Sequence, residues 1–130
     1  MSDTIFTKII NGEIPCHKIY EDEKTFAFLD IRPRQPGHTL VIPKNPVEFV
    51  WDLPAEDYAA LMATVQKVAK RIREVMPAPF VGEEIVGVDV PHAHVHLIPF
   101  STTYELIQEP SATDLPSNDE LAEVARKLAF

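Results

Sequence analysis

Three histidines alternate with apolar residues in the segment between Pro91 and Pro99. The histidines are His92, His94 and His96, and the apolar residues that follow each of them are Ala93, Val95 and Leu97. Because successive side chains of a β-strand point to opposite faces, this alternation predicts a strand with three imidazoles on one face and an apolar opposite face. Such a strand needs neighbouring strands and a covered apolar face, so the chain must fold around a sheet.

The other patterns along the chain predict a sheet of about five strands, one long helix and a short helix near each end. The long helix begins near Pro54, carries an apolar stripe at helical spacing and stops at Pro77. A short helix over 5–10 would be capped by Asp3, and a capping box at Ser117–Glu120 begins the last helix. Strands are predicted at 18–21, 25–29, 39–42, 80–88 and 92–99, with an irregular tail over 101–116. Short turns between paired strands favour an antiparallel sheet and hence an α+β fold.

Composition limits the classes of function. The 130 residues fit a single domain over 1–130. The 20 acidic and 12 basic residues give a net charge of −8, which argues against nucleic-acid binding and against a polybasic membrane surface. Cys16 is the single cysteine and cannot form an internal disulfide, which suits a reducing cytoplasm. The N-terminal residues do not resemble a signal peptide, and no apolar run approaches the ~18 residues of a membrane span.

The histidine strand permits three interpretations. It could be a polar face of hydrogen-bonded histidines. It could be part of a metal site. His92 and His96 lie ~13 Å apart along a strand, so all three histidines cannot easily bind one metal ion, and two of them together with His38 are a more reasonable ligand set. It could also be catalytic, because a neutral imidazole with one nitrogen free is a nucleophile, and flanking donors can hold phosphate oxygens.

The chain resembles the histidine-triad (HIT) family of nucleotide-binding proteins. The resemblance is carried by the His-x-His-x-His pattern followed by two apolar residues and by the upstream segment Gly37–Lys44. It extends to Asp3–Pro15 and to Phe26–Ile31, in the same order along the chain. The resemblance implies the α+β histidine-triad fold, and members usually form a two-fold dimer in which the sheets join. It also implies hydrolysis or transfer at the α-phosphate of purine nucleotide derivatives such as nucleoside phosphoramidates and dinucleoside polyphosphates, without a metal or other cofactor.

The resemblance assigns a role to each matching residue. His94 would be the nucleophile, His92 would orient it, His96 would contact the α-phosphate, and His38 would lie beside the triad. Asp30 would accept hydrogen bonds from the ribose hydroxyls. The apolar residues at positions that line the base pocket are Ile5, Phe6, Ile9, Ile14, Phe28 and Ile31.

The chain departs from the family pattern around the phosphate. Many bacterial members carry Cys-x-x-Cys in the first helix as part of a structural zinc site, whereas this chain has Thr4 and Thr7 there, which predicts no zinc. Segment 80–87 contains no asparagine of the kind that contacts phosphate in many members, and Pro46 replaces their second histidine after Pro-Lys. Asp89 stands where a serine near the leaving group is common, so its carboxylate is a candidate contact to the substrate. Two alternatives follow: a nucleotide-binding regulatory protein with little turnover, and a metal-binding histidine strand.

Overall fold

The computed structural model describes residues 3–130, so the first two residues of the predicted domain lie outside the described part. One antiparallel sheet has the strand order β1-β2-β3-β5-β4. Its strands are β1 (Lys18–Glu21), β2 (Thr25–Leu29), β3 (Thr39–Pro43), β4 (Phe80–Glu84) and β5 (Val95–Phe100). The helices are α1 (Ile5–Ile10), α2 (Ala55–Val75), α3 (Thr103–Ile107) and α4 (Asn118–Leu128). The predicted five-stranded α+β architecture is confirmed.

One face of the sheet is covered by α2 and α4. The apolar stripe of α2 includes Leu61, Val68 and Ile72, which are completely buried. They pack with Leu121 and Leu128 of α4 in the main core. The sheet and the segment that leads into β5 contribute alternate residues to this core, among them Ala27, Leu29, Val41, Ala93, Val95 and Leu97. The residues between the histidines therefore face the main core, as the alternation predicts.

The opposite face of the sheet is covered at one end by α1. Phe6 and Ile9 of this helix pack on the aromatic and branched side chains of β2 and β3, namely Phe26, Phe28, Leu40 and Ile42. The helix cap is Thr4 and not the predicted Asp3. The Thr4 hydroxyl oxygen accepts hydrogen bonds from the Phe6 and Thr7 N–H groups, and the Thr7 hydroxyl oxygen accepts one from the Thr4 N–H. A reciprocal cap of this kind pairs two main-chain donors that the first helical turn leaves free.

Two of the predicted strands are shorter in the structure. Strand β4 ends at Glu84 instead of residue 88, and the chain then turns through Gly87. The φ angle of Gly87 is +81°, a left-handed conformation that glycine adopts without strain. Strand β5 begins at Val95 instead of residue 92. The His92 N–H donates to the Val90 carbonyl and the Ala93 N–H to the Val47 carbonyl, so neither joins the ladder.

Helix α3 lies in the tail that was predicted to be irregular. It has 5 residues and is capped by the Thr102 hydroxyl, a length too short to produce a clear apolar period. Leu106 of α3 packs on Gly82 of β4, where an added Cβ would lie 2.6 Å from the Leu106 Cδ1 atom. Glycine at this position therefore lets α3 lie directly against the edge strand. None of the described helices has the length and hydropathy needed to cross a membrane.

Candidate active site

His94 is held by a main-chain hydrogen bond that leaves one ring nitrogen free. Its Nδ1 atom lies 2.7 Å from the carbonyl oxygen of His92. Because a carbonyl only accepts hydrogen bonds, Nδ1 carries the proton and Nε2 keeps its lone pair. The ring is nearly buried, and the Phe6 ring contacts it edge-on at 5.2 Å between centroids. His94 therefore has the tautomer and the fixed orientation that a nucleophile needs.

His92 orients His94 through its carbonyl group, whereas its imidazole serves the neighbouring strand. The His92 Nε2–H donates to the Pro43 carbonyl oxygen at the end of β3, at 2.7 Å. Its Nδ1 atom is buried without a hydrogen-bond partner among the described residues. Burial lowers the pKa of His92, and the Pro43 hydrogen bond opposes that shift. The neutral His92 side chain thus fixes the segment before β5 to β3, and the His92 carbonyl orients the His94 ring.

His38 and His96 form a directed pair. The Arg34 N–H donates to His38 Nδ1 at 3.1 Å, so the proton of a neutral His38 ring must be on Nε2. His38 Nε2 lies 3.0 Å from His96 Nδ1 and donates to it. The His96 proton is therefore on Nε2, the nitrogen that is free to donate to a ligand. The Arg34 N–H thus fixes the donor and the acceptor of both hydrogen bonds in the series from Arg34 through His38 to His96.

Burial keeps this pair neutral at physiological pH. Burial, with smaller contributions from the His96 and Arg34 charges, lowers the pKa of His38 to about 3. Burial and the nearby His94 lower the pKa of His96 to about 4, although the Glu84 carboxylate opposes the shift. A neutral His96 can stabilise a phosphate oxygen only by donating a hydrogen bond, and its Nε2–H is available for that.

Asp30 closes the loop that carries His38. Its Oδ1 atom accepts a hydrogen bond from the Arg32 N–H at 2.8 Å, and its Oδ2 atom lies 3.7 Å from His38 Nε2. The Asp30 N–H donates to the His38 carbonyl at 3.0 Å. Burial raises the pKa of the Asp30 carboxyl, and the Arg32 N–H opposes the shift. The structure thus brings the predicted ribose-binding carboxylate beside the histidine pair.

The predicted base-pocket residues divide into two groups. Phe6, Ile9 and Phe28 are buried together next to the triad, and Ile14 is partly buried against them. Ile5 and Ile31 are outside this cluster, with 49% and 62% of their surfaces exposed. Asp89 is also exposed, in the loop before the triad, and its charge influences His96.

Two charged residues near the site had not been identified from the sequence. The Arg34 guanidinium binds the Glu84 carboxylate through two hydrogen bonds, and Glu84 lies opposite His96 in the β4–β5 ladder. The two residues are 50 positions apart, so only the strand register brings them together. Sequence reasoning also missed the Pro43 carbonyl as the partner of His92.

One group of side chains has the spacing of a metal site. The ligand atoms of Asp30, His38 and His96 lie within 4.8 Å of one another. A metal bound to His38 Nε2 would require the proton to move to Nδ1, where it would oppose the Arg34 N–H. The observed hydrogen bonds therefore favour the neutral histidine pair over metal coordination.

The structural zinc of many bacterial family members does not fit this chain. The positions of the two cysteines hold Thr4 and Thr7, whose hydroxyls form the reciprocal cap of α1. Zinc sites of the structural kind use thiolate and imidazole ligands, which these positions do not supply. Helix α1 is thus held in place by its cap and by the packing of Phe6.

A cavity of about 460 Å³ lies beside the loop that joins β2 to β3. It is enclosed by that loop, by segment 108–116 and by the first turns of α4. Asp30 and His38 line it, but His94 and His96 do not. We therefore assign the reactive surface to the face around His94 and not to this cavity.

A family model described as the HIT domain matches residues 11–103. The chain is 42% identical over 102 residues to an uncharacterized HIT-like protein of Methanocaldococcus jannaschii, covering 73% of this chain and 77% of that protein. It is 41% identical over 96 residues to the adenosine 5'-monophosphoramidase of Schizosaccharomyces pombe, covering 73% and 72% of the two chains. The crystal structure of a HIT-like protein involved in cell-cycle regulation from Bartonella henselae matches with a TM-score of 0.85 and 33% identity, covering 97% and 93%. The family model and these relatives confirm the resemblance carried by the histidine strand: the chain belongs to the histidine-triad family.

Proposed function

We propose that this protein is a nucleotide hydrolase or nucleotidyl transferase that acts at the α-phosphate of purine nucleotide derivatives. The observation that carries the proposal is the hydrogen bond from His94 Nδ1 to the His92 carbonyl, because it leaves the Nε2 lone pair free to attack phosphorus. The similarity to the adenosine 5'-monophosphoramidase of Schizosaccharomyces pombe supports a nucleoside monophosphate as the transferred group.

The residues around His94 supply the contacts that such a substrate needs. The Nε2–H of His96 would donate to an oxygen of the α-phosphate, and the Asp30 carboxylate would accept hydrogen bonds from the ribose hydroxyls. Phe6, Ile9 and Phe28, which are buried together next to the triad, would form the apolar floor of the site for a purine. Aromatic and branched side chains suit a flat base because they contact its whole face.

The reaction would proceed in two displacements at the same phosphorus atom. His94 Nε2 forms a bond to phosphorus while the bond to the leaving amine or phosphate breaks, and the leaving amine takes a proton from solvent. Water then attacks phosphorus and gives one proton to solvent, the bond to His94 breaks, and the nucleoside monophosphate is released. Dividing one difficult displacement into two easier ones is the general gain of covalent catalysis.

Asp89 favours phosphoramidates as the better substrates. Its carboxylate is exposed in the loop before the triad, so it would repel an additional phosphate in the leaving group but attract a cationic amine. We therefore expect Asp89→Asn to narrow the difference in kcat/KM between an amine and a polyphosphate leaving group.

We also propose the two-fold dimer that is usual in the family. Strand β4 is at the edge of the sheet and can pair with the same strand of a second copy. Phe80, Val86 and Val88, in and just after this strand, are exposed, with 54%, 44% and 75% of their surfaces accessible. A joined sheet would cover part of this apolar surface.

The decisive experiment measures the release of AMP from adenosine phosphoramidate and from diadenosine tetraphosphate. Wild type, His94→Ala and the control His17→Ala are compared, since His17 is hydrogen-bonded to Asn118 and lies outside the site. We expect release by wild type and His17→Ala, none by His94→Ala, and AMP binding in all three. AMP binding without release by wild type would instead favour the regulatory interpretation, and elemental analysis that finds bound transition metal would favour the metal-binding one.

A further inference from the structure

Arg34 connects the loop that carries Asp30 and His38 to the edge of the sheet. Its Nη1 and Nη2 atoms donate to the two carboxylate oxygens of Glu84 at 3.1 and 2.8 Å. Nη1 also donates to the Leu106 carbonyl of α3 at 3.3 Å. The side chains of Arg34 and Glu84 are 21% and 35% exposed. A bidentate pair of this kind fixes direction as well as distance, unlike most surface ion pairs.

The same residue also contacts the histidine pair through its main chain. The Arg34 N–H donates to His38 Nδ1, and His38 in turn donates to His96 Nδ1. Glu84 lies opposite His96 in the ladder. The guanidinium group of Arg34 is therefore fixed to β4 beside His96. The main-chain N–H of Arg34 sets the proton position on His38, the ring that donates to His96.

We infer that Arg34 and Glu84 are positioning residues for His96. Their ion pair holds the loop where the Arg34 N–H reaches His38, and this keeps His96 in the tautomer with its proton on Nε2, facing the substrate. The contribution to catalysis rests on the proposed function, whereas the effect on the tautomers does not.

Two simpler roles for the pair agree less well with the contacts. As a cation for phosphate, Arg34 would need an uncompensated charge, but the Glu84 carboxylate neutralises it, and Glu84 and Leu106 already use three of its five N–H donors. As a stabilising surface ion pair, it would contribute little to folding and would leave the histidine tautomers unchanged.

The test uses ¹⁵N-histidine-labelled protein, because the two ring nitrogens of each neutral imidazole have different shifts when protonated and unprotonated. In wild type at pH 7, we expect His38 and His96 to carry their protons on Nε2. Arg34→Ala and Glu84→Ala should each convert His96 to a mixture of tautomers, since each removes the same ion pair. Arg71→Ala is the matched control, because this arginine binds the Leu128 and Lys127 carbonyls at the end of α4, away from the site.

Kinetics with adenosine phosphoramidate provide the second readout. We expect Arg34→Ala and Glu84→Ala each to lower kcat about 10-fold to 100-fold, the usual effect of removing a group that orients a reacting side chain, with KM changed less than about 2-fold. The double variant should be no slower than the slower single variant, because both substitutions break one interaction.

Unchanged ¹⁵N shifts of His38 and His96 in both single variants would overturn the inference, whatever the rates are. Additive losses of kcat in the double variant would also overturn it, because they would show independent roles. The shifts require no substrate, so they decide the positioning role even if wild type releases no AMP, which would count against the proposed function alone.

Discussion

We expect the free energy of unfolding to fall by about 4 kcal/mol between pH 8 and pH 5, because His38 and His96 must stay neutral in the folded chain. Their pKa values are about 3 and about 4 when folded, whereas an unfolded histidine has a pKa near 6.5. Between these values the unfolded state binds more protons, so stability is complete above pH 6.5 and decreases as the pH falls. At pH 5, protonation favours the unfolded state by a factor of roughly 30 for each of the two histidines. Each therefore lowers the free energy of unfolding by RT ln 30, or about 2 kcal/mol.

Other groups at the site modify this number in known directions. The lowered pKa of His92 adds to the loss of stability in acid, whereas the raised pKa of Asp30 opposes it. The lowered pKa of Glu84, caused first by its hydrogen bonds to Arg34, adds a loss at lower pH, where carboxylates titrate. The value of about 4 kcal/mol is therefore the contribution of His38 and His96 alone.

The perturbation is His38→Gln, whose amide can still donate towards His96 but does not titrate. Urea unfolding followed by far-UV circular dichroism, at one protein concentration, gives the free energy at both pH values. We expect the variant to lose about 2 kcal/mol between pH 8 and pH 5 instead of about 4. Val68→Ala, in the main core, is the control: it should lower stability by about 2 kcal/mol at both pH values and keep the wild-type pH dependence. A wild-type pH dependence in His38→Gln, or none in wild type, would refute the reasoning.

Three further predictions concern the cap, a turn and the assembly. Thr4→Val removes the hydroxyl that caps α1 and thereby loosens the packing of Phe6, so it should destabilise the protein by about 1 kcal/mol in urea unfolding and raise KM for the nucleotide substrate. An unchanged KM would contradict the role of α1 in binding. Asp22→Ala should cost about 2 kcal/mol in the same assay, since the carboxylate accepts hydrogen bonds from the Thr25 N–H, its hydroxyl and the Lys24 N–H; a loss below about 0.5 kcal/mol would contradict it. Light scattering should give twice the 14.6 kDa of one chain, and a mass of one chain would contradict the dimer.

Much of the fold could be predicted because the signals are local. Alternation with period two identified the histidine strand, and the apolar stripe between Pro54 and Pro77 identified α2. The capping box at Ser117 is likewise a pattern of neighbouring residues, and both of its hydrogen bonds are present. The errors lie at the ends of strands and in short elements: residues 85–94 form an irregular loop, and α3 is a single short helix. There, main-chain hydrogen bonds and contacts such as Leu106 on Gly82 decide the conformation.

The candidate site could be predicted only in part, for a related reason. The residue types that carry the chemistry are visible in the sequence, and the resemblance to the family assigns them roles. Which ring nitrogen holds each proton depends on partners far along the chain, such as Pro43 for His92 and Arg34 for the His38–His96 pair. The pairing of Arg34 with Glu84 depends on strand register, which no local pattern reveals.

The proton positions at this site depend on three main-chain groups, namely the carbonyls of Pro43 and His92 and the N–H of Arg34. Peptide groups are the same for every residue type, except that proline lacks the N–H. Substitutions at these positions, other than proline at position 34, would therefore keep the hydrogen-bonding groups themselves. They would act on the proton positions through the path of the main chain, which at position 34 is held by the ion pair with Glu84. The tautomers of the histidines thus follow from the path of the main chain, so a substitution that leaves the histidines in place but moves this path would still change which ring nitrogen is protonated.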